Sequence, residues 1–364
     1  MRIIDSHMHF LDYDRAEEVL NIMEQLKYEK INTLSLTDEY RVNLNPESLY
    51  LKSLSPKRVF CNGALDYTKL INKEKDAAKD LADQVDEQKK IGFDGMKMVE
   101  GKPTFYKYIK VPFDDKQYSP FFKRLEETKF PLVFHVGDPP GFWDPDDEWS
   151  NLMGWNYSKG NYISMQELMR QTDNVLKNNP NLTVIFAHFL FLADNLKKAE
   201  EYLEKYPNLH LDLTPGAELY FQLSKTADES RKFFIKWQDR ILYGTDIIAG
   251  GAFRKVGLDR YVKVIEDLKD FFFKSGEIRI FREEDKGGFN ITMEGLKCLD
   301  LPEETNEKIM HGNFEKLYGK EPKKINKDLA IKEANVIKSR SKSRPDTIKL
   351  INDLDKIIAY FEKS

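Results

Sequence analysis

The chain has little of several residues whose abundance would announce a class of protein. Cysteine occurs only twice in 364 residues, as Cys61 and Cys298. Two thiols so far apart exclude a disulfide framework and read as buried free thiols in a reducing compartment. No apolar run approaches the ~18 residues that a membrane helix needs. The opening residues carry acid and histidine where a secretory signal would place a basic and then an apolar segment. Neither sign of charge dominates, with 57 Lys+Arg against 61 Asp+Glu and a net charge of −4, so a polyanion is offered no basic face. Histidine is scarce too, at six residues. No internal repeat is visible. The expectation is a cytoplasmic protein whose partner is a small molecule, with neither nucleic acid nor membrane, and with a homodimer left open.

What is present is an alternation. Apolar, β-branched runs at residues 3–7, 33–37, 58–65, 95–99, 131–135, 182–188, 210–213 and 241–243 read as strands. Amphipathic stretches lie between them, at residues 14–28, 73–90, 119–128, 164–176 and 195–206. Gly92 stops the second of these, Ser119-Pro120 opens the third, and Ser164-Met165-Gln166-Glu167 forms a capping box at the fourth. Eight strands separated by helices predict an α/β fold, a (β/α)8 TIM barrel, with a doubly wound open sheet as the competitor. A long loop is expected after strand five and an insertion after strand eight. A helix at residues 303–317, opened by Pro302, follows. The expected division is a barrel over residues 1–320 and a lysine-rich helical extension over residues 321–364, packed on the barrel or on a second subunit.

In such a barrel the carboxyl ends of the strands share one mouth, where chemistry sits. His7 and His9 end strand one. Alternate residues of a strand share a face, so the two imidazoles point the same way, roughly 7 Å apart. Lys97 lies near the end of strand four, His135 ends strand five, His188 ends strand six and Asp246 ends strand eight. Scattered structural histidines would not gather four of six at one mouth. Neutral imidazole and carboxylate suit a borderline divalent ion, zinc first, with manganese, iron or cobalt open. Such an ion lowers the pKa of a bound water toward ~7, and Asp246 has a second oxygen to take the water's proton.

The other polar residues divide. His188 reads as a ligand, or as a group beside the metal that polarises a carbonyl, the second being favoured. Lys97 reads as a core-edge lysine, as a receptor for a substrate carboxylate, or as a carbamylated bridge between two ions. His210 begins its strand at the opposite rim and His311 lies on the last barrel helix, so both read as structural. Residues 136–163 are too long and too aromatic for a plain linker. They form either a lid or a small satellite core, with Asp138, Trp143 and Trp155 as candidate substrate contacts. Asp38 and Asp66 read as turn-forming.

Several of these pieces resemble the amidohydrolase superfamily, and within it the amidohydrolase-related branch that includes aminocarboxymuconate-semialdehyde decarboxylase. They are Asp5-Ser6-His7-Met8-His9-Phe10, Gly92-Phe93-Asp94-Gly95-Met96-Lys97, Val133-Phe134-His135-Val136-Gly137-Asp138, Ala187-His188, Tyr243-Gly244-Thr245-Asp246 and the closing run from His311 to Gly319. The resemblance covers about residues 1–320. It implies a TIM barrel, metal ligation by His7, His9, His135 and Asp246, and a catalytic His188. Members of the branch hydrolyse C–O or C–N bonds, hydrate, or decarboxylate small carboxylated substrates, and some use no metal. The leading expectation is therefore a metal-dependent hydrolase, with a nonoxidative decarboxylase as the alternative. A TatD-type deoxyribonuclease also opens on a His-x-His strand, but in place of its strand-four metal-binding glutamate this chain offers Met96-Lys97-Met98, with Glu100 slightly late, and the overall acidity disfavours DNA. A barrel kept only for binding is the remaining reading.

Overall fold

The structure is a computed structural model; it describes residues 1–38, 42–215, 219–250, 257–280, 293–341 and 347–364. Its main sheet has nine strands in the order β8-β7-β6-β5-β4-β3-β2-β1-β9, all parallel. They are β1 Ile4–Phe10, β2 Lys30–Leu34, β3 Val59–Ala64, β4 Gly95–Gly101, β5 Leu132–Val136, β6 Val184–Phe186, β7 Leu209–Asp212, β8 Ile241–Leu242 and β9 Ile248–Ala249. The last two are halves of one interrupted strand. β8 pairs with β7 and β9 pairs with β1, while Ser6 N–H reaches Tyr243 O at 3.0 Å and His9 N–H reaches Ile247 O at 2.7 Å. The sheet thereby closes into the TIM barrel that the alternation predicts.

Each strand sorts its residues by side. Met96, Met98, Leu132, Phe134, Leu209 and Leu211 face the surrounding helices and join the large outer core. Ile4, Leu34, Phe60, Val133, Ile185 and Leu242 form a separate inner cluster, the barrel floor. Its plug comes from outside the sheet: Phe314, on the helix Asn313–Tyr318, packs edge-on to Phe60 at 5.0 Å and stacks on Tyr318 at 4.4 Å. Ile4 and His7 differ in strand parity, yet the first belongs to the floor and the second to the mouth. A register shift in β1 between Asp5 and Met8 reconciles them.

Most boundaries fall close to expectation. The helix Ser119–Thr128 forms as the sequence indicates, Ser164 caps Met165–Asn178 through Glu167 N–H, and Gly92 ends Ala77–Ile91 at φ 114°. The second strand is an exception, at residues 30–34 rather than 33–37. Its polar residues are buried because they find partners: Asn32 donates to Ser6 O at 3.0 Å and Thr33 to Ser48 Oγ at 3.1 Å. The helix at residues 303–317 is interrupted by a π turn at Lys308–Gly312. The insertion after the eighth strand holds the helix Asp259–Phe273 and the hairpin Glu277–Ile280 with Met293–Lys297, while residues 251–256 and 281–292 lie outside the described residues. Cys61 and Cys298 are free and buried. No helix among the described residues is long and apolar enough to cross a membrane.

The carboxyl-terminal helices Lys327–Arg340 and Thr347–Lys363 pack on each other and on the barrel helix Asn45–Leu54, burying Val42, Ala334, Ile337, Leu350 and Leu354. Asn45 donates to Glu333 at 3.0 Å and Tyr50 meets Tyr360 edge-on at 5.2 Å. Asp94 is the tie beneath them. One oxygen accepts from Lys52 Nζ at 2.6 Å and from Cys61 N–H at 2.8 Å; the other accepts from Lys323 N–H at 2.8 Å. A charge pair this deeply buried needs such additional bonds to offset its lost hydration.

Glu100 is the poorly satisfied member of β4. It is fully buried among Tyr67 and Tyr118, neither carboxylate oxygen has a well-formed hydrogen bond, and burial pushes its pKa up to about 7, with the Tyr67 hydroxyl first and Lys97 last pulling the other way. The folded chain therefore holds this proton to higher pH than the unfolded chain does. Stability from this group is full below about pH 4.5, declines as pH rises to about 7, and is level above. Glu100→Gln is expected to raise stability by up to ~3 kcal/mol above pH 7 and to converge on the parent at pH 4. Denaturant melts across that range check it. Phe314→Ala, which opens the floor, is expected to cost ~3–5 kcal/mol at any pH in the same measurement.

Candidate active site

The mouth of the barrel collects polar side chains from six strand ends. His7 and His9, from β1, converge on Asp246, which sits at φ 54° in the break between β8 and β9. His7 Nε2 lies 3.3 Å from His9 Nε2 and 3.6 Å from Asp246 Oδ1, and His9 Nε2 lies 3.2 Å from Asp246 Oδ1. The break is held in place from below. Asp5 accepts from Thr245 Oγ1 at 2.5 Å, from Thr245 N–H at 3.1 Å and from His7 N–H at 3.1 Å, and Asp246 N–H reaches His7 O at 2.8 Å. Gly244 is obligatory at this contact, because a Cβ there would lie 2.9 Å from Thr214 Cγ2 and 3.0 Å from the Cβ of His7.

Hydrogen bonds fix the tautomers. His7 Nδ1 meets Asp212 Oδ2 at 2.7 Å and His9 Nδ1 meets Leu34 O at 2.8 Å. Both partners are acceptors, so both Nδ1 atoms carry the proton and both Nε2 atoms turn bare lone pairs inward. Two lone pairs at 3.3 Å with a carboxylate oxygen beside them repel one another unless a cation sits among them. The triangle fits one: tetrahedral bonds of ~2.0–2.1 Å require ligand atoms ~3.3 Å apart. The residues present thus suit a divalent ion. Lys97 Nζ, 3.4 Å from His7 Nε2, is the nearest donor; the side chain is only 2 % exposed, and burial lowers its pKa to about 8.

Asp212, at the end of β7, gives no sign of itself in the sequence beyond being an aspartate at a strand end. It shares inward parity with His210 two residues earlier, and that alternation is the one signal available. Besides binding His7, it accepts through Oδ1 from Thr214 Oγ1 at 2.5 Å and from His188 N–H at 2.8 Å. Because the Thr214 hydroxyl proton points to Asp212, its lone pairs face His188 Nδ1 at 3.1 Å. His188 is therefore protonated on Nδ1, with Nε2 a free acceptor. Burial pushes the Asp212 pKa up, opposed by His188 and Thr214, and holds His188 near 4, in its neutral form.

His188 lies beyond β6 rather than at its end. Residues His188, Phe189, Leu190 and Phe191 all have φ between 52° and 57°, a left-handed turn built without glycine. Each such residue costs ~1–2 kcal/mol. Burial of Phe189 and Leu190, together with the Asp212 bond to His188 N–H, holds the turn, and Phe191 stacks on the His188 ring at 5.2 Å.

The remaining expected residues fall in different places. His135 packs against His188 with ring centroids 4.8 Å apart, but its Nε2 faces Gly137 O at 2.9 Å and lies outside the triangle of His7, His9 and Asp246. Asp138 is buried and already occupied: Lys102 Nζ donates to its two oxygens at 2.7 and 3.0 Å, and Tyr157 OH donates at 2.6 Å. Burial pushes its pKa up, but Lys102 and His135 outweigh that and hold the carboxyl well below the usual range. Trp155 lines the cleft above the triangle, whereas Trp143 turns away and donates to Ile163 O at 3.1 Å. His210 bonds Asn208 O at the far rim, and His311 lies 3.7 Å from Glu315. Asp38 and Asp66 accept from Val42 N–H and Thr68 N–H, as turn residues do. The cleft measures about 260 Å³; His9, Lys97, Lys102, His135, Asp138, His188 and Asp246 supply its polar lining, and Phe142, Trp155 and Phe191 much of its apolar wall.

Fold and site together define a TIM-barrel enzyme with a candidate divalent-metal centre at its mouth. Residues 69–320 match the amidohydrolase family model, and the chain belongs to that family. The first strand, with His7 and His9, lies ahead of the matched segment. No curated protein sequence matches the chain. Solved structures similar to it include a TIM-barrel protein from Bordetella bronchiseptica, at 16% identity and TM-score 0.53 over 88% of this chain and 99% of that one. Another is 2,6-dihydroxybenzoate decarboxylase from Rhizobium, at 14% identity and TM-score 0.51 over 87% and 99%. A third is 5-carboxyvanillate decarboxylase from Novosphingobium aromaticivorans, complexed with manganese and 4-hydroxy-3-methoxy-5-nitrobenzoic acid, at 12% identity and TM-score 0.51 over 87% and 96%. These likenesses establish the barrel.

If Asp212 sets the His7 tautomer, Asp212→Asn is expected to weaken metal binding 10–100-fold. Calorimetric titration with zinc and with manganese measures this directly, and the unfolding midpoint of the apo-protein serves as the control for folding.

Proposed function

We propose that the chain is a metal-dependent hydrolase that cleaves a C–O or C–N bond in a small carboxylated substrate. His7, His9 and Asp246 would hold the ion, zinc or manganese before iron or cobalt, with His135 as a fourth ligand only through Nδ1 or a turned ring. A bound divalent ion supplies Lewis acidity, polarising a carbonyl oxygen and acidifying water. The chain's own groups do the rest. The second Asp246 oxygen takes a proton from water as the hydroxyl adds to the carbonyl carbon, and returns it to the departing oxygen or nitrogen as the C–O or C–N bond breaks, leaving an acid and an alcohol or amine. His188, with Nε2 unprotonated, accepts a hydrogen bond from that water and orients it. Lys97, the nearest donor to the triangle among the described residues, steadies the negative charge that develops on oxygen.

The observation that carries this reading is the set of bare acceptors. His188 Nε2 and the outer Asp246 oxygen are both bases placed at the cleft, as water activation requires. Nonoxidative decarboxylation is the second reading, favoured by the apolar wall of Phe142, Trp155 and Phe191, against which a carboxylate would lose its hydration, and by the reactions of two of the similar structures. In that case Lys97 would return the proton to carbon.

Metal-loaded protein assayed against esters, lactones, amides and aromatic acids separates the two. Incorporation of solvent oxygen into the acid product is expected, and Asp246→Asn should lower kcat ~100-fold or more. Release of carbon dioxide without solvent oxygen selects the second reading. Unchanged metal content and activity in Asp246→Ala and His135→Ala would remove both.

A further inference from the structure

We propose that Lys102 is the receptor for the substrate carboxylate. The inference rests on the proposed function and deepens it by naming the residue that receives the acid group. Lys102 follows β4 directly, at the start of the helix Pro103–Ile109, and its ammonium lies against the cleft. Two contacts hold it. Asp138 takes Nζ through both carboxylate oxygens, and the Trp155 ring lies under it at 4.9 Å. An ammonium has three protons. Asp138 engages two at most, which leaves one donor for a guest.

The anchor of this cation is itself rigid. Asp138 follows Gly137, whose φ of 83° turns the chain out of β5, and is pinned by Tyr157 OH from the far end of the same loop. Tyr157 in turn meets Trp143 at 5.1 Å and Tyr162 at 4.9 Å. Lys102 is thus held in place before any ligand arrives, which lowers the entropy lost on binding. Lys97, by comparison, is committed to the triangle through His7.

Charge and shape agree with this assignment. Among the ionisable groups lining the cleft, Lys97 and Lys102 are balanced by Asp138 and Asp246, so a bound divalent ion makes the lining net positive and favours an anion. Phe142, Trp155 and Phe191 present flat apolar surface, and a cleft of about 260 Å³ has room for a single ring with its substituents. One end of the guest would meet Lys102 while its reacting end meets the triangle.

Benzoate and its neutral counterpart benzamide test this by titration into the zinc-loaded protein. Wild type is expected to bind benzoate at least tenfold more tightly than benzamide. Lys102→Met should reduce that ratio to about one. Because it strands a buried Asp138 carboxylate, the paired variant Lys102→Met with Asp138→Asn is measured beside it and should give the same ratio, while Lys102→Arg should restore the preference. A merely structural role would weaken both ligands alike and leave the ratio unchanged, which overturns the proposal. So does wild type that does not distinguish the two ligands. Metal content measured on the same samples keeps failure of the metal centre distinct from failure of the receptor.

Discussion

Asp212 carries more of this site than its size suggests. One oxygen fixes His7 with its proton on Nδ1, and the other gathers the His188 amide and the Thr214 hydroxyl, which in turn fixes the His188 ring. A single buried carboxylate therefore decides which nitrogen of two histidines faces the cleft. Three strands contribute to the arrangement, and none could supply it alone. The penalty of burying the charge is offset by donors that converge on it from β1, from the turn after β6 and from Thr214.

The left-handed turn at His188 belongs to the same device. A backbone left to itself would not place four side-chain-bearing residues at positive φ. Here the outer core receives Phe189 and Leu190, and Asp212 receives the amide of His188, so local strain is exchanged for packing. The benefit is that Phe191 folds back over the imidazole and makes it part of the cleft wall.

The barrel was legible because its strands are short apolar runs between amphipathic stretches, and His7, His9 and Asp246 were legible because they close those runs. What stayed hidden did so for physical reasons. Residues 30–32 lack the apolar signature of a strand because Asn32 satisfies its side-chain donor internally. Asp212 looks like any acid at a strand end until the opposite wall of the barrel is in view. Lys102 follows a glycine, outside any strand, where lysine is ordinary. Asp138 and Trp143 look like substrate contacts from their position in a long aromatic loop. Sequence does not tell that the first is bound to Lys102 and Tyr157 and that the second serves the loop's own packing.

The plug at the barrel floor has a bearing on how the chain is made. Phe314 seals a cylinder whose first wall is the strand at Ile4–Phe10, and that strand finds its second neighbour only when residues 241–249 arrive. During synthesis this strand leaves the ribosome with its histidines and one unpaired edge exposed, and that edge waits for about 240 residues. The most chemically demanding segment is made long before it is enclosed, so the maturation of this protein is governed by its most distant contacts.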